Sequence, residues 1–151
     1  MQPFFTNYSI NLRELHDEIR KSLDGLPQNA LDWTYGSDMN SINVLVVHLI
    51  GAERYWIGDV IAGKPSRRDR ESEFLIQSLS EKDLLQKLSE IDNEIENFLE
   101  NFTLQQLDEI RFSPRNGREV TVGWALCHAL KHTSLHLGHI HLTRQLWEQL
   151  Q

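Results

Sequence analysis

The sequence predicts an all-α fold, a four-helix bundle of the up-down type with a longer crossover. Three observations carry that expectation. Apolar residues recur at helical spacing in four separate runs, each several turns long. Gly25 with Pro27, and Gly63 with Pro65, close the first two runs in the manner of helix stops. The last run places His128, His132, His136 and His139 four, four and three residues apart, a stripe of imidazoles along one side of a helix.

The first run extends from about Tyr8 to Leu23, with Ile10, Leu12, Leu15, Ile19 and Leu23 at broadly helical spacing, and ends at Gly25 and Pro27. Residues Gln28 to Asn40 form a structured connection. Its Trp33 and Tyr35 are placed either to roof a pocket or to anchor the loop itself. Asn40 or Ser41 can cap the second helix, which runs to about Ala62 and stops at Gly63 and Pro65. That helix is apolar on most sides, as a core helix should be, yet carries His48 in its middle. Ala52, Tyr55 and Asp59 share the side of His48. Leu75 to Leu79 is a short extended or linking segment. Ser80 opens the third helix, in which Leu84, Leu85, Leu88, Ile91, Ile95, Phe98 and Leu99 form the apolar face and acidic residues the solvent face. Ile110 and Phe112, then Asn116-Gly117, then Val120 and Val122 predict two short strands about a turn, a β-hairpin before the last helix. Thr121 leads into that helix, which reaches Leu150.

At 151 residues the chain fits one domain spanning 1–151. A formal net charge of −7 argues against sequence-independent nucleic-acid binding, which needs clustered positive charge. The one basic cluster, Lys64 to Arg70, is mixed with acids and reads as a solvated loop. No apolar stretch is long enough to span a bilayer, and no signal segment precedes the first helix. Cys127 is the sole cysteine, so no intramolecular disulfide can form and a reducing, cytoplasmic location is expected. Adjacent side chains on a helix diverge by about 100°, so Cys127 does not pair directly with His128. A small buried core residue is the expectation for Cys127.

Successive histidines at i, i+4 sit about 5–6 Å apart at their β-carbons, near enough for two rings to share one metal ion. Leu126, Leu130, Leu137 and Ile140 flank the stripe, and burying several imidazoles without partners would be costly. Either a metal ion or a dense polar network would satisfy them. His48 reads either as a core histidine hydrogen-bonded to a neighbour or as a partner for the stripe. His141 lies on another face, with Ser134, Gln145 and Gln149, and is expected to be wet. Glu53 points about 140° away from His48, the position of a salt-bridge partner within the bundle. Trp56 and Trp124 read as core residues.

Val47-His48-Leu49-Ile50-Gly51-Ala52-Glu53-Arg54-Tyr55-Trp56, taken with His132-Thr-Ser-Leu-His136-Leu-Gly138-His139-Ile140, resembles the DinB/YfiT-like family of metalloenzymes over essentially the whole chain. The resemblance implies a four-helix bundle with a divalent ion, nickel or zinc, held by His48, His132 and His136. His128 and His139 match no ligand position in the family's motif; they would back the ligands, line the pocket or be plain bundle neighbours, with Tyr55 and Asp59 as further pocket candidates. Gly138 would let a neighbouring helix approach closely. The resemblance further implies a transferase acting with a low-molecular-weight thiol on a small-molecule substrate. A metal-dependent hydrolase and a non-catalytic, stress-associated dimeric bundle are the alternatives, and the apolar helix faces allow a homodimer.

Overall fold

In the computed structural model, which describes residues 1–150, helix α1 (Pro3–Leu23) starts ahead of the Tyr8 expected from periodicity. Proline suits the first turn of a helix, where its missing N–H has no partner to lose. The Gln2 carbonyl accepts from Phe5 and Thr6, and the Phe5 ring is buried. Gly25, at φ +72°, ends the segment in a conformation that disfavours a β-carbon. A short α2 (Gln28–Leu31) buries Ala30 and Leu31. Trp33 and Tyr35 meet edge-on at 6.2 Å and anchor their own loop rather than roofing the cavity beside His48.

Ser41, not Asn40, caps α3 (Ile42–Glu53), accepting from the Val44 N–H at 3.3 Å. The helix then passes without a break into a π-helical stretch, Arg54–Ile61, so the expected end near Ala62 holds while the last turns are widened. A widened turn of this kind re-aims side chains and recurs at functional sites. The following connection contains a short unforeseen helix, α4 (Arg70–Glu73), capped by Asp69. Ser80 and Asp83 form a reciprocal capping box at the start of α5 (Glu81–Leu99). A 3₁₀ turn (Leu104–Asp108) precedes the expected hairpin, whose strands β1 (Ile110–Phe112) and β2 (Glu119–Thr121) pair antiparallel with Arg111 opposite Val120. Thr121 caps the long α6 (Val122–Gln149).

Side-chain contacts give the helix directions. Tyr8 donates to the Leu126 carbonyl and Arg144 to the Ser22 carbonyl, so α1 and α6 run parallel. The pairs Arg13–Glu96 and Arg20–Asp92 set α5 antiparallel to α1. His48 against His136 and Trp56 against Trp124 set α3 antiparallel to α6. Arg54 meets Glu94 and Gly58 meets the Phe98 ring, so α3 and α5 run parallel. Consecutive parallel neighbours need a connection that travels the length of the bundle. The crossover of residues 62–80 is that connection.

The face of α6 that the bundle covers carries Val122, Ala125, Leu126, Ala129, Thr133, Leu137 and Ile140. Position 127 falls between these toward solvent, so Cys127 is exposed and not the core residue expected. Gly138 is likewise exposed, and a β-carbon added there would meet nothing within 4 Å. No helix packs against it, contrary to expectation. His141 is half-buried rather than fully wet. Among the described residues no helix is long and apolar enough to cross a membrane.

Candidate metal centre

His48 comes from the middle of α3, and His132 and His136 from one face of α6. The antiparallel packing brings them to the same level. Their ring centroids form a close triangle: 5.1 Å from His48 to His132, 5.1 Å from His48 to His136, and 4.4 Å between the last two. One ligand atom from each lies within 4.8 Å of the others, so the three could hold a metal ion.

His48 is held from behind. Its Nδ1 lies 2.9 Å from Glu73 Oε2, and because an ionised carboxylate only accepts, Nδ1 carries the proton. The Nε2 lone pair is left for the triangle, an arrangement typical of metal-ligating histidines backed by a carboxylate. Burial by itself would raise the Glu73 carboxyl, but hydrogen bonds from Arg68 and His48 outweigh it and hold the group ionised below its ordinary range. Arg68 grips Glu73 bidentately, through Nε at 2.5 Å and Nη2 at 2.8 Å, and Nη2 also reaches the His48 carbonyl at 3.4 Å. Gly51, one turn above His48 on α3, makes room for this carboxylate. A β-carbon there would collide with Glu73 Oε1 and lie 2.9 Å from its Cδ.

His132 and His136 face each other through Nε2 atoms 3.2 Å apart. Two nitrogens sharing a tetrahedral ion at about 2.0–2.1 Å would stand roughly 3.3 Å apart, so this pair already has ligand spacing. Their Nδ1 atoms are buried without partners. Burial first, and neighbouring imidazoles second, lower His132 to about 3 and His136 to about 4. Both rings are therefore neutral near pH 7, the state in which a ring nitrogen can donate a lone pair. The donor set of three imidazoles fits a divalent transition-metal ion.

The triangle opens on a cavity of about 740 Å³ lined by His48, His132 and His128, with walls from the π-helical stretch, the crossover and the hairpin turn. His128 stacks on Trp124 at 4.8 Å and 11°, and burial lowers its pKa. Tyr55 and Asp59 line the cavity. Asp59 is already engaged, accepting from both the N–H and the hydroxyl of Ser66. His139 is exposed, meets the His136 ring edge-on at 5.4 Å and is not among the residues lining the cavity. Trp56 is half-buried and lines the cavity, while Trp124 packs against it at 5.3 Å.

Sequence reasoning misses three groups. The Lys64–Arg70 segment is a loop, as expected, but not merely a solvated one: Arg68 is half-buried on Glu73, and Arg67, Arg68 and Arg70 line the cavity. Glu73 itself sits in an unforeseen helix. His16 is fully buried and bridges Glu53 at 3.0 Å and Asp92 at 2.7 Å, while Thr133 donates to the same Glu53. Glu53 is thus the bundle partner its angle predicts. The available signal was the place of His16 on the apolar stripe of α1, between Leu12 and Ile19.

The family model of the DinB superfamily matches residues 11–140. Among curated proteins, none matches the chain significantly. Several solved structures share the fold at low identity. A conserved protein from Enterococcus faecalis superposes with a TM-score of 0.76 at 14% identity, covering 97% of this chain and 98% of its own. A DinB-like protein from Bacillus cereus gives 0.75 at 14% identity, with 93% and 91% covered. YfiT from Bacillus subtilis, described as a probable metal-dependent hydrolase with an unusual four-helix bundle topology, gives 0.74 at 16% identity, with 98% and 90% covered. With the bundle and the histidine triangle in place, the match over residues 11–140 makes this chain a member of the DinB superfamily.

Proposed function

We propose that the chain is a divalent-metal-dependent enzyme that transfers a low-molecular-weight thiol to an electrophilic small molecule, with nickel or zinc held by His48, His132 and His136. The observation that carries the reading is the convergence of three imidazoles from two helices, two of which, His48 and His132, line a cavity of about 740 Å³. Three protein ligands leave a divalent ion room for a reactant. A bound ion supplies Lewis acidity, lowering the pKa of the thiol or water it takes up.

The chain's own residues do the rest. Glu73 and Arg68 fix the ring and tautomer of His48. Tyr55, Trp56 and His128 wall the space where a substrate would lie. The carboxylates of the lining each have a partner within the chain: Asp59 accepts from Ser66, Asp69 from the start of α4, and the exposed Glu71 meets Arg70 at 3.4 Å. A thiol, with an ordinary pKa of about 8.5, would ionise near neutrality if held by such a divalent ion, as a bound water also would.

Hydrolysis, with water as nucleophile, is the second reading, favoured by the description of YfiT as a probable metal-dependent hydrolase. Elemental analysis of untagged protein tests the shared premise. About one divalent ion per chain is expected, lost in His48→Ala and His132→Ala variants that keep their helical circular dichroism. Absence of metal after reconstitution would sink both readings. Thiol-transfer assays beside a panel of esters then separate them.

A further inference from the structure

Ten arginines occur in the chain, and seven of them meet a carboxylate. The other three, Arg67, Arg115 and Arg118, meet none among the described residues, and all three line the cavity that opens on the histidine triangle. In a chain of net charge −7 with acids in excess, unneutralised guanidinium groups gathered at one opening require a reason. Asp59, Asp69 and Glu71 line the same cavity, yet their partners are Ser66, Ser72 and Arg70 rather than these three arginines.

Their backbone and stacking anchors are specific. The Arg115 N–H donates to the Tyr55 hydroxyl at 3.2 Å, and that hydroxyl lies 2.5 Å from Ser113 Oγ, which pins the hairpin turn to the π-helical stretch. Arg118 lies 4.4 Å over the Trp124 ring. Arg67 follows Ser66, which Asp59 holds twice, and takes the left-handed conformation at φ 55°. The rim is thus built from two separate segments, the crossover and the hairpin, each tied down beside the histidines.

We infer that this arginine rim binds an oxyanion group, carboxylate or phosphate, of a small organic substrate whose reactive end reaches the histidines. Guanidinium groups suit either oxyanion through paired, charge-assisted hydrogen bonds. The cavity volume of about 740 Å³ suits a small organic molecule, and Tyr55, Trp56 and Pro114 offer apolar surface to its body. The role of the reactive end rests on the metal-site reading; the arginine rim does not.

Calorimetric titration with succinate, with inorganic phosphate and with neutral succinamide, on zinc-loaded and metal-free protein, tests the inference. At least one dianion should bind and succinamide should not, and the tighter of succinate and phosphate identifies the oxyanion. Arg115→Gln and Arg118→Gln should each weaken anion binding roughly tenfold, the loss expected for a charge-assisted hydrogen bond, while zinc content is unchanged. Arg13→Gln, far from the cavity, should leave affinity unaltered. Binding of neither anion, or equal binding by wild type and both cavity variants, overturns the inference. Zinc retained without anion binding defeats the rim alone. Arginine-dependent anion binding in a protein that takes up no zinc supports the rim and defeats the metal reading.

Discussion

His16 shows how a single buried side chain can tie a bundle together and leave a pH signature. Its burial alone would lower the pKa, but the Glu53 charge, the hydrogen bonds to Asp92 and Glu53 and the Asp92 charge raise it to about 9. The folded value thus lies above the unfolded one of 6.5. The sign follows: the imidazolium contributes its full stability below about pH 6.5 and loses it as pH rises through about 9. A shift of that size corresponds to something on the order of 3 kcal/mol. Urea unfolding of the metal-free protein should therefore show stability falling between pH 7 and 10. His16→Gln should be less stable at neutral pH and lack that decline. A wild-type curve flat across the range would refute the charged assignment. Glu53 has its Oε2 buried without a partner, so the pair is a tightly constrained charge rather than a solvated one.

At the scale of elements, the crossover does more than connect α3 to α5. It delivers Arg68 and Glu73 to the back of His48, and Gly51 on α3 leaves the gap they enter. Alanine normally improves a helix interior over glycine by about 1 kcal/mol. At position 51 the opposite sign is expected, because Glu73 is gripped by Arg68 and cannot retreat freely. Gly51→Ala should lower the thermal midpoint of the apo protein. If His48 is a ligand, it should also weaken zinc binding roughly ten- to hundredfold, the usual cost of disturbing a ligand's hydrogen-bond partner. An unchanged midpoint together with unchanged affinity would show that the collision is relieved at no cost. The short helix α4 escapes sequence reading because four residues give no periodicity to detect. The π-helical stretch escapes it as well, since the apolar pattern of Arg54–Ile61 continues that of α3.

For the whole molecule, the histidine triangle joins α3 to α6, two helices far apart in sequence, so an ion held there would bind only the folded chain. Binding of this kind stabilises by about 2.7 kcal/mol at a free metal concentration one hundred times Kd. For a chain of this length that corresponds to roughly 5–10 °C in Tm. Differential scanning calorimetry with zinc or nickel should show the rise in wild type and not in His132→Ala. A rise of equal size in the variant would place the metal elsewhere.

The local elements were legible in the sequence because their causes are local. Periodic apolar residues, the caps at Ser41, Ser80 and Thr121, and the Asn116-Gly117 turn all act within a few residues of themselves. The histidine stripe on α6 was legible for the same reason, and family resemblance added His48 to it. What only the tertiary structure decided were pairings over distance: Glu73 behind His48, and His16 between Glu53 and Asp92, 37 and 76 residues away. It also decided which side of α6 is covered, and so left Cys127 and Gly138 in solvent. Periodicity defines a face, but burial depends on which neighbouring helix covers that face, and a charge is free or neutralised only once the fold has chosen its partners.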